Sequence, residues 1–257
     1  MISNLASAQT AIGFGAKGPN FRIASGCASS ARAKGEAIET AMPEQRLARR
    51  AFRYAARLTL RGLIRLTTRL HIDGLHNIPH SNAAIIAFNH LGHFDPLLVC
   101  AFSPRAPEFI TLADLLNVPG TSLALRTYGI ILAHRDEYDR QVIRAALDTL
   151  NRGDLLALAP EARQSPNATL EKGREGAAYV ALKSGAPVVP VGITGTQNIY
   201  GAWRKCQRPY ICMMVGTPFH LSAQPSTNRR EALEAAHAVI MKHIAQLLPV
   251  EYRGYWI

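Results

Sequence analysis

The chain has 257 residues, 48% of them hydrophobic, and a formal charge of +11, which is length and apolar content enough for one substantial core with additions. Its four cysteines, Cys27, Cys100, Cys206 and Cys212, stand apart with no C-x-x-C pair; this argues against a disulfide framework and a zinc site and leaves a reducing cytosolic face as the default. No stretch reaches the roughly 18 uninterrupted apolar residues of a membrane span, and Met1 to Asn4 is not the basic start of a secretory signal.

The charge is unevenly placed. Residues 1–43 carry four basic and two acidic groups, residues 44–70 eight arginines and one glutamate, and residues 71–257 seventeen basic and fifteen acidic groups. Residues 1–43 are rich in Ala, Ser and Gly and lack hydrophobic periodicity, so a disordered leader is expected; its composition also resembles a transit peptide, with Met42 as an alternative start. Residues 44–70 predict a single helix about 40 Å long at 1.5 Å per residue, with Pro43 at its start and no proline inside. Arg49, Arg53, Arg57, Arg61, Arg65 and Arg69 recur every fourth residue, while Phe52, Ala56, Leu60, Leu63, Ile64 and Leu70 fall largely elsewhere. Such a basic amphipathic helix suits an anionic membrane surface, each arginine near the headgroups contributing about 1 kcal/mol. Nucleic-acid phosphate is the rival partner and a solvated basic face the plainer reading. Few aromatics interleave beyond Phe52 and Tyr54, so no nucleic-acid partner is expected.

From residue 71 onward short apolar runs alternate with helical stretches. Strands are expected at 83–88, 129–133, 154–159, 187–193 and 210–215, and helices at 95–102, 112–127, 137–151, 173–184 and 229–247. The alternation predicts an α/β fold, a mostly parallel central sheet flanked by helices and preceded by the basic helix, with ligand sites at the carboxyl ends of strands. Pro190 inside its strand marks a sheet edge or a bulge. The last helix sets Leu233, Ala236, Ile240, Ile244 and Leu247 on one face and closes the core.

Four blocks carry polar groups beside short strands. The run "AAIIAFNHLGHFDPLL" delivers Asn89 and His90 to a strand end, and "DPLL" opens a helix with Asp95 as its expected N-cap. The spacing permits Asp95 to hold one ring nitrogen of His90 so that the other acts as a base. It permits capping alone equally well. His93 is a competing partner, but no further ligand cluster accompanies it, and no metal is expected. In "YGIILAHRDEYDR" Arg135 follows a strand and has the fork geometry for a phosphate, or pairs with Asp114, Asp136 or Asp139. "LLALAPEARQSP" places Glu161 and Arg163 after another strand, and "GAPVVPVGI" forms the fourth block.

In chain order these blocks read N-H-x4-D, G-x-I-L-x-x-R, P-E-x-R and V-V-P-V, and over residues 70–215 they resemble the glycerolipid acyltransferase family. The resemblance implies a mechanism in which His90 is the general base and Asp95 orients it, with Asn89, Gly129, Arg135, Glu161 and Arg163 on the substrate side. It implies an acyl thioester donor, acyl-CoA or acyl-carrier protein, as co-substrate and no further cofactor. The implied acceptor is a lyso-phospholipid such as 1-acylglycerol-3-phosphate, and the implied setting a peripheral or monotopic protein on the cytosolic face of a membrane. Three departures stand out: Gly92 where the family often has serine, Ala162 where it often has glycine, and Arg163 two rather than three places after Glu161. The rival reading is a lipid-binding module without catalysis on the same scaffold.

Overall fold

The computed structural model describes residues 43–112, 121–133, 140–222 and 228–257. The expected leader therefore lies outside the described residues, apart from Pro43. Backbone proximity divides the chain into Met1–Ala48 and Arg49–Ile257. Of the first unit only the opening of one helix is described; the second carries the fold.

Helix α1 spans Pro43–Thr67, and strand β1 follows at Arg69–Asp73, where the sequence reads as helix end and loop. Next come β2 (Ala84–Phe88), α2 (Asp95–Phe102), β3 (Glu108–Leu112), α3 (Thr121–Tyr128), β4 (Ile131–Ala133), α4 (Arg140–Asn151) and β5 (Leu155–Leu158). The remainder is α5 (Gly176–Ser184), β6 (Val188–Thr194), α6 (Ile199–Arg204), β7 (Tyr210–Val215) and α7 (Arg229–Gln246). The helix expected at 112–127 gives way at its start to β3, whose short "EFITL" run pairs with β5 and β4.

The seven strands lie in the order β1-β7-β6-β2-β5-β3-β4, and every neighbouring pair is parallel except β6 and β7. Alternation along the strands builds two apolar layers. Ala84, Ile86 and Phe88 of β2 face α1 and α2 on one side, with Ile64, Leu98, Val99 and Phe102. Ile85 and Ala87 face α4, α5 and α7 on the other, with Leu150, Val180, Ile240 and Ile244. Helices on both faces explain why all five residues of β2 are apolar and buried.

Pro190 lies in a central strand, at a bulge. Val188 bridges Phe219 while Val191 pairs with Val215, so three steps on β6 face four on the returning chain. The Pro190 carbonyl still accepts Gly216 N–H at 2.9 Å, and its missing N–H falls where the ladder is already irregular.

Helix α1 turns much of its arginine stripe inward. Arg53 donates through Nε to the Tyr128 carbonyl at 2.8 Å and through Nη2 to Gly129 at 3.2 Å, at the carboxyl end of α3. Arg57 and Arg61 donate to the carbonyls of Cys100, Ala101 and Ser103, at the carboxyl end of α2. The last carbonyls of a helix have no intrahelical donor and carry the negative end of its dipole, so a guanidinium is well matched to them. Burial lowers the pKa of Arg57, as expected of a cation withdrawn from water. The face left to solvent is apolar instead: Leu47, Tyr54, Leu58, Leu63 and Leu66 are all exposed. This reverses the orientation expected from the sequence at Arg53, Arg57 and Arg61, although Arg50, Arg65 and Arg69 remain exposed. No helix among the described residues is long and apolar enough to cross a membrane.

Candidate active site

The central strand β2 ends at Phe88, and the next two residues are held by its neighbours. Asn89 is fully buried; its amide donates to Ile193 O at 2.8 Å and its Oδ1 accepts Ile193 N–H at 2.7 Å. Asn89 thus extends the bonding between β2 and β6 by side chain, and it is turned toward the sheet instead of a ligand.

His90 Nδ1 lies 3.0 Å from Asp95 Oδ2, with the imidazole about one fifth exposed and the carboxylate at 0%. Asp95 is the first residue of α2, after Phe94 at the N-cap, and no side-chain bond caps the helix. The expected N-cap role is therefore not the one Asp95 has. Its Oδ2 accepts Gly92 N–H at 2.7 Å, which fixes the carboxylate beneath the ring. A carboxylate accepts only, so the pairing assigns the proton to Nδ1 and leaves the Nε2 lone pair free. His93, the competing partner, faces Tyr200 edge-on at 6.5 Å instead.

Glu161, at the carboxyl end of the neighbouring β5, is 3% exposed. Its Oε1 accepts the backbone N–H of His90 at 2.7 Å and its Oε2 that of Glu171 at 2.9 Å. Burial pushes its pKa up to about 7, against the pull of those two N–H groups and of His90. Ser165 N–H adds a bond to the His90 carbonyl at 2.8 Å, so the loop after β5 holds both backbone groups of His90. Ala162 adopts φ +56°, a left-handed conformation that explains why glycine suits this place.

The other expected residues are arranged differently. Arg163 gives both arms of its guanidinium to Glu171, at 2.6 and 2.9 Å, rather than to an open phosphate site. Gly129 lies before β4 and so at the amino end of a sheet whose carboxyl end carries His90; a residue before a parallel strand cannot share the edge formed by residues after one. Arg135 lies outside the described residues, as do Asp114, Asp136 and Asp139.

Two residues of this neighbourhood carry no sequence signal. Thr196, 1% exposed, sits in a turn after β6 against Gly92, and its hydroxyl makes no hydrogen bond among the described residues. Glu171 binds Glu161 through its backbone, which no side-chain pattern displays. Beside the Asp95 loop, Leu60 and Leu63 of α1, Phe94 and Leu97, and Ile199 and Trp203 of α6 line an apolar slot of about 100 Å³. No group of three His, Cys, Asp or Glu side chains among the described residues is placed to hold a metal ion.

Residues 69–194, which contain the His90, Asp95 and Glu161 constellation, match the family described as Acyltransferase. That match covers just under half of the chain. Among curated relatives, the chloroplastic 1-acyl-sn-glycerol-3-phosphate acyltransferase LPAT1 of Arabidopsis thaliana is 27% identical over 134 residues, 51% of this chain and 37% of the relative. The 1-acyl-sn-glycerol-3-phosphate acyltransferase of Borreliella burgdorferi is 28% identical, over 51% of this chain and 54% of its own length. The chain thus spans about a third to a half of these two relatives. That of Pseudomonas aeruginosa is 23% identical and matched over 72% of both chains. The crystal structure of PlsC, the 1-acyl-sn-glycerophosphate acyltransferase of Thermotoga maritima, superposes with a TM-score of 0.60 at 21% identity, covering 80% of this chain and 84% of that one. The superposition establishes a shared fold.

Proposed function

We propose that the chain transfers a fatty acyl group from an acyl thioester, acyl-CoA or acyl-carrier protein, to the hydroxyl of a lyso-phospholipid such as 1-acylglycerol-3-phosphate. The observation that carries this reading is the contact of His90 Nδ1 with a fully buried Asp95 at 3.0 Å, at the carboxyl end of a central strand. In the reaction His90 Nε2 takes the acceptor hydroxyl proton as the oxygen attacks the thioester carbonyl. Asp95 holds the ring and supports the imidazolium while the tetrahedral oxyanion forms. Collapse breaks the carbon–sulfur bond, and the imidazolium proton passes to the departing thiolate. Ester and free thiol result, and His90 returns to its starting state. A thioester is already activated, so the reading requires no resident metal or cofactor.

Both substrates are amphiphiles, and the exposed apolar face of α1 supports a peripheral position on a membrane. Leu58, Leu63 and Leu66 would enter the acyl boundary, while exposed Arg50, Arg65 and Arg69 favour anionic headgroups on the cytosolic face. The apolar slot beside the Asp95 loop would receive part of an acyl chain.

The deciding experiment measures thiol release from palmitoyl-CoA on mixed anionic liposomes, with and without lysophosphatidic acid, for the wild type and His90→Ala. Acceptor-dependent release that disappears in the variant supports acyl transfer with His90 as base. A wild type and variant that bind liposomes equally and release no thiol from palmitoyl-CoA, or from palmitoyl-acyl-carrier protein in a parallel assay, point to the non-catalytic lipid-binding module.

A further inference from the structure

The residues after α7 lie far beyond the stretch that carries the family blocks, yet they fold back onto the loop that grips His90. Tyr255 N–H donates to the Leu170 carbonyl at 3.1 Å, and Leu170 N–H donates to the Tyr252 carbonyl at 2.8 Å. The Leu170 carbonyl and the Glu171 N–H belong to one planar peptide unit, so fixing the first aims the second. That Glu171 N–H is the one Glu161 Oε2 accepts, at 2.9 Å, while Glu161 Oε1 accepts His90 N–H at 2.7 Å. The next carbonyl, Glu171 O, accepts the Trp256 indole N–H at 2.8 Å. Lys172 O, one residue further on, bonds to His237 Nε2 at 2.7 Å, and the His237 ring meets Trp256 edge-on at 5.9 Å. Gly254, at φ +51°, makes the approach feasible, since a Cβ there would lie 2.4 Å from the Leu170 oxygen.

From these bonds on either side of the Glu171 Cα we infer that the segment Val250–Trp256 positions His90 through Glu161, Tyr255 acting on the 170–171 peptide and the Trp256 indole on the 171–172 peptide. Trp256 is a positioning residue, more than one side chain removed from the reacting atoms. The inference rests on the acyl-transfer reading only in what it says about turnover. The coupling of the tail to the His90 backbone stands on the bonds themselves.

Two substitutions in the full-length chain test it. Trp256→Phe keeps a ring and removes the N–H; Gly254→Ala keeps the indole and pushes the tail off Leu170. In each, amide hydrogen exchange at His90 and Glu171 should speed up about tenfold while that of β2 and β6 is unchanged. In acyl transfer kcat should fall about tenfold with KM within about twofold, because a misplaced base slows chemistry more than binding. Ile257→Ala, at a side chain 87% exposed, serves as the control. Wild-type exchange at His90 and Glu171 in both variants, or wild-type kcat alongside faster exchange, overturns the inference. A wild-type protein with no transfer activity would sink the acyl-transfer reading alone, since the exchange measurement reads the coupling without turnover.

Discussion

Gly92 and Thr196 meet beside the Asp95 loop, both buried: a Cβ on Gly92 would lie 2.9 Å from the Thr196 carbonyl carbon and 3.0 Å from its hydroxyl. The serine common at this place in the family therefore has no room here. Gly92→Ser should destabilise the fold by about 1–3 kcal/mol, the usual cost of overpacking. Thr196→Ala in the same chain should recover only part of that, because backbone atoms make the closest contact. Urea denaturation of the single and double variants checks both statements, and a Gly92→Ser chain as stable as wild type would contradict the contact.

Ala162 presents the opposite case. Its φ of +56° strains an L side chain, so Ala162→Gly should stabilise the protein by up to about 1 kcal/mol, the relief of left-handed strain being partly offset by the greater freedom of glycine when unfolded. The midpoint of urea unfolding should rise with an unchanged slope.

In the proposed reaction Asp95 holds the tautomer of His90. In Asp95→Asn an amide oxygen in the place of Oδ2 still accepts the ring N–H and Gly92 N–H, but the negative charge that supports an imidazolium is lost. Turnover should drop by about two to four orders of magnitude while the protein stays folded, as loss of an orienting carboxylate does in other histidine-based sites. Turnover within about threefold of wild type would remove Asp95 from the mechanism.

Glu161 gives the protein a pH signature. Its folded pKa of about 7 stands above the ordinary carboxyl value of 4.5. Between those limits the folded state binds more protons than the unfolded state, so this group's contribution to stability falls as pH rises from about 4.5 through about 7. The loss is on the order of 3 kcal/mol. Glu161→Gln abolishes the titration, although its amide cannot accept both N–H groups and a fixed penalty remains at every pH. Denaturation of wild type and variant at about pH 4 and about pH 8 should show their stability gap changing by that amount, the wild type losing ground at the higher pH.

The two faces of α1 should respond to different measurements. Arg57→Leu removes donors from the Cys100 and Ser103 carbonyls, at the end of α2, and should lower stability by about 2–3 kcal/mol. Leu58→Glu, on the exposed face, should leave stability unchanged and reduce sedimentation with anionic liposomes. Deleting the whole helix would not separate these effects, because Ile64 belongs to the core and Phe52 and Leu60 pack against it.

The sequence by itself determined the α/β class, both ends of α2 and β7, the strands β2, β5 and β6 to within one or two residues, and the placement of His90 and Asp95 around a strand end. These features follow from local periodicity and turn chemistry, which act over a few residues and survive in a linear reading. Strands β1 and β3 escaped it: "RLHID" alternates with only two apolar residues, and "EFITL" runs into a stretch read as helix, so both exist because β7 and β5 offer them edges. Tertiary structure alone decided that the α1 arginines serve the carbonyl ends of α2 and α3, that Arg163 is taken by Glu171, that Gly129 sits at the wrong end of the sheet, and that Glu161 holds the His90 backbone. Except for Arg163, whose partner is the Glu171 carboxylate eight residues on, the deciding partner is a backbone group or a strand direction contributed from elsewhere in the chain, and backbone groups are the same at every residue. A sequence displays side chains; it leaves the whereabouts of carbonyls and N–H groups to the fold.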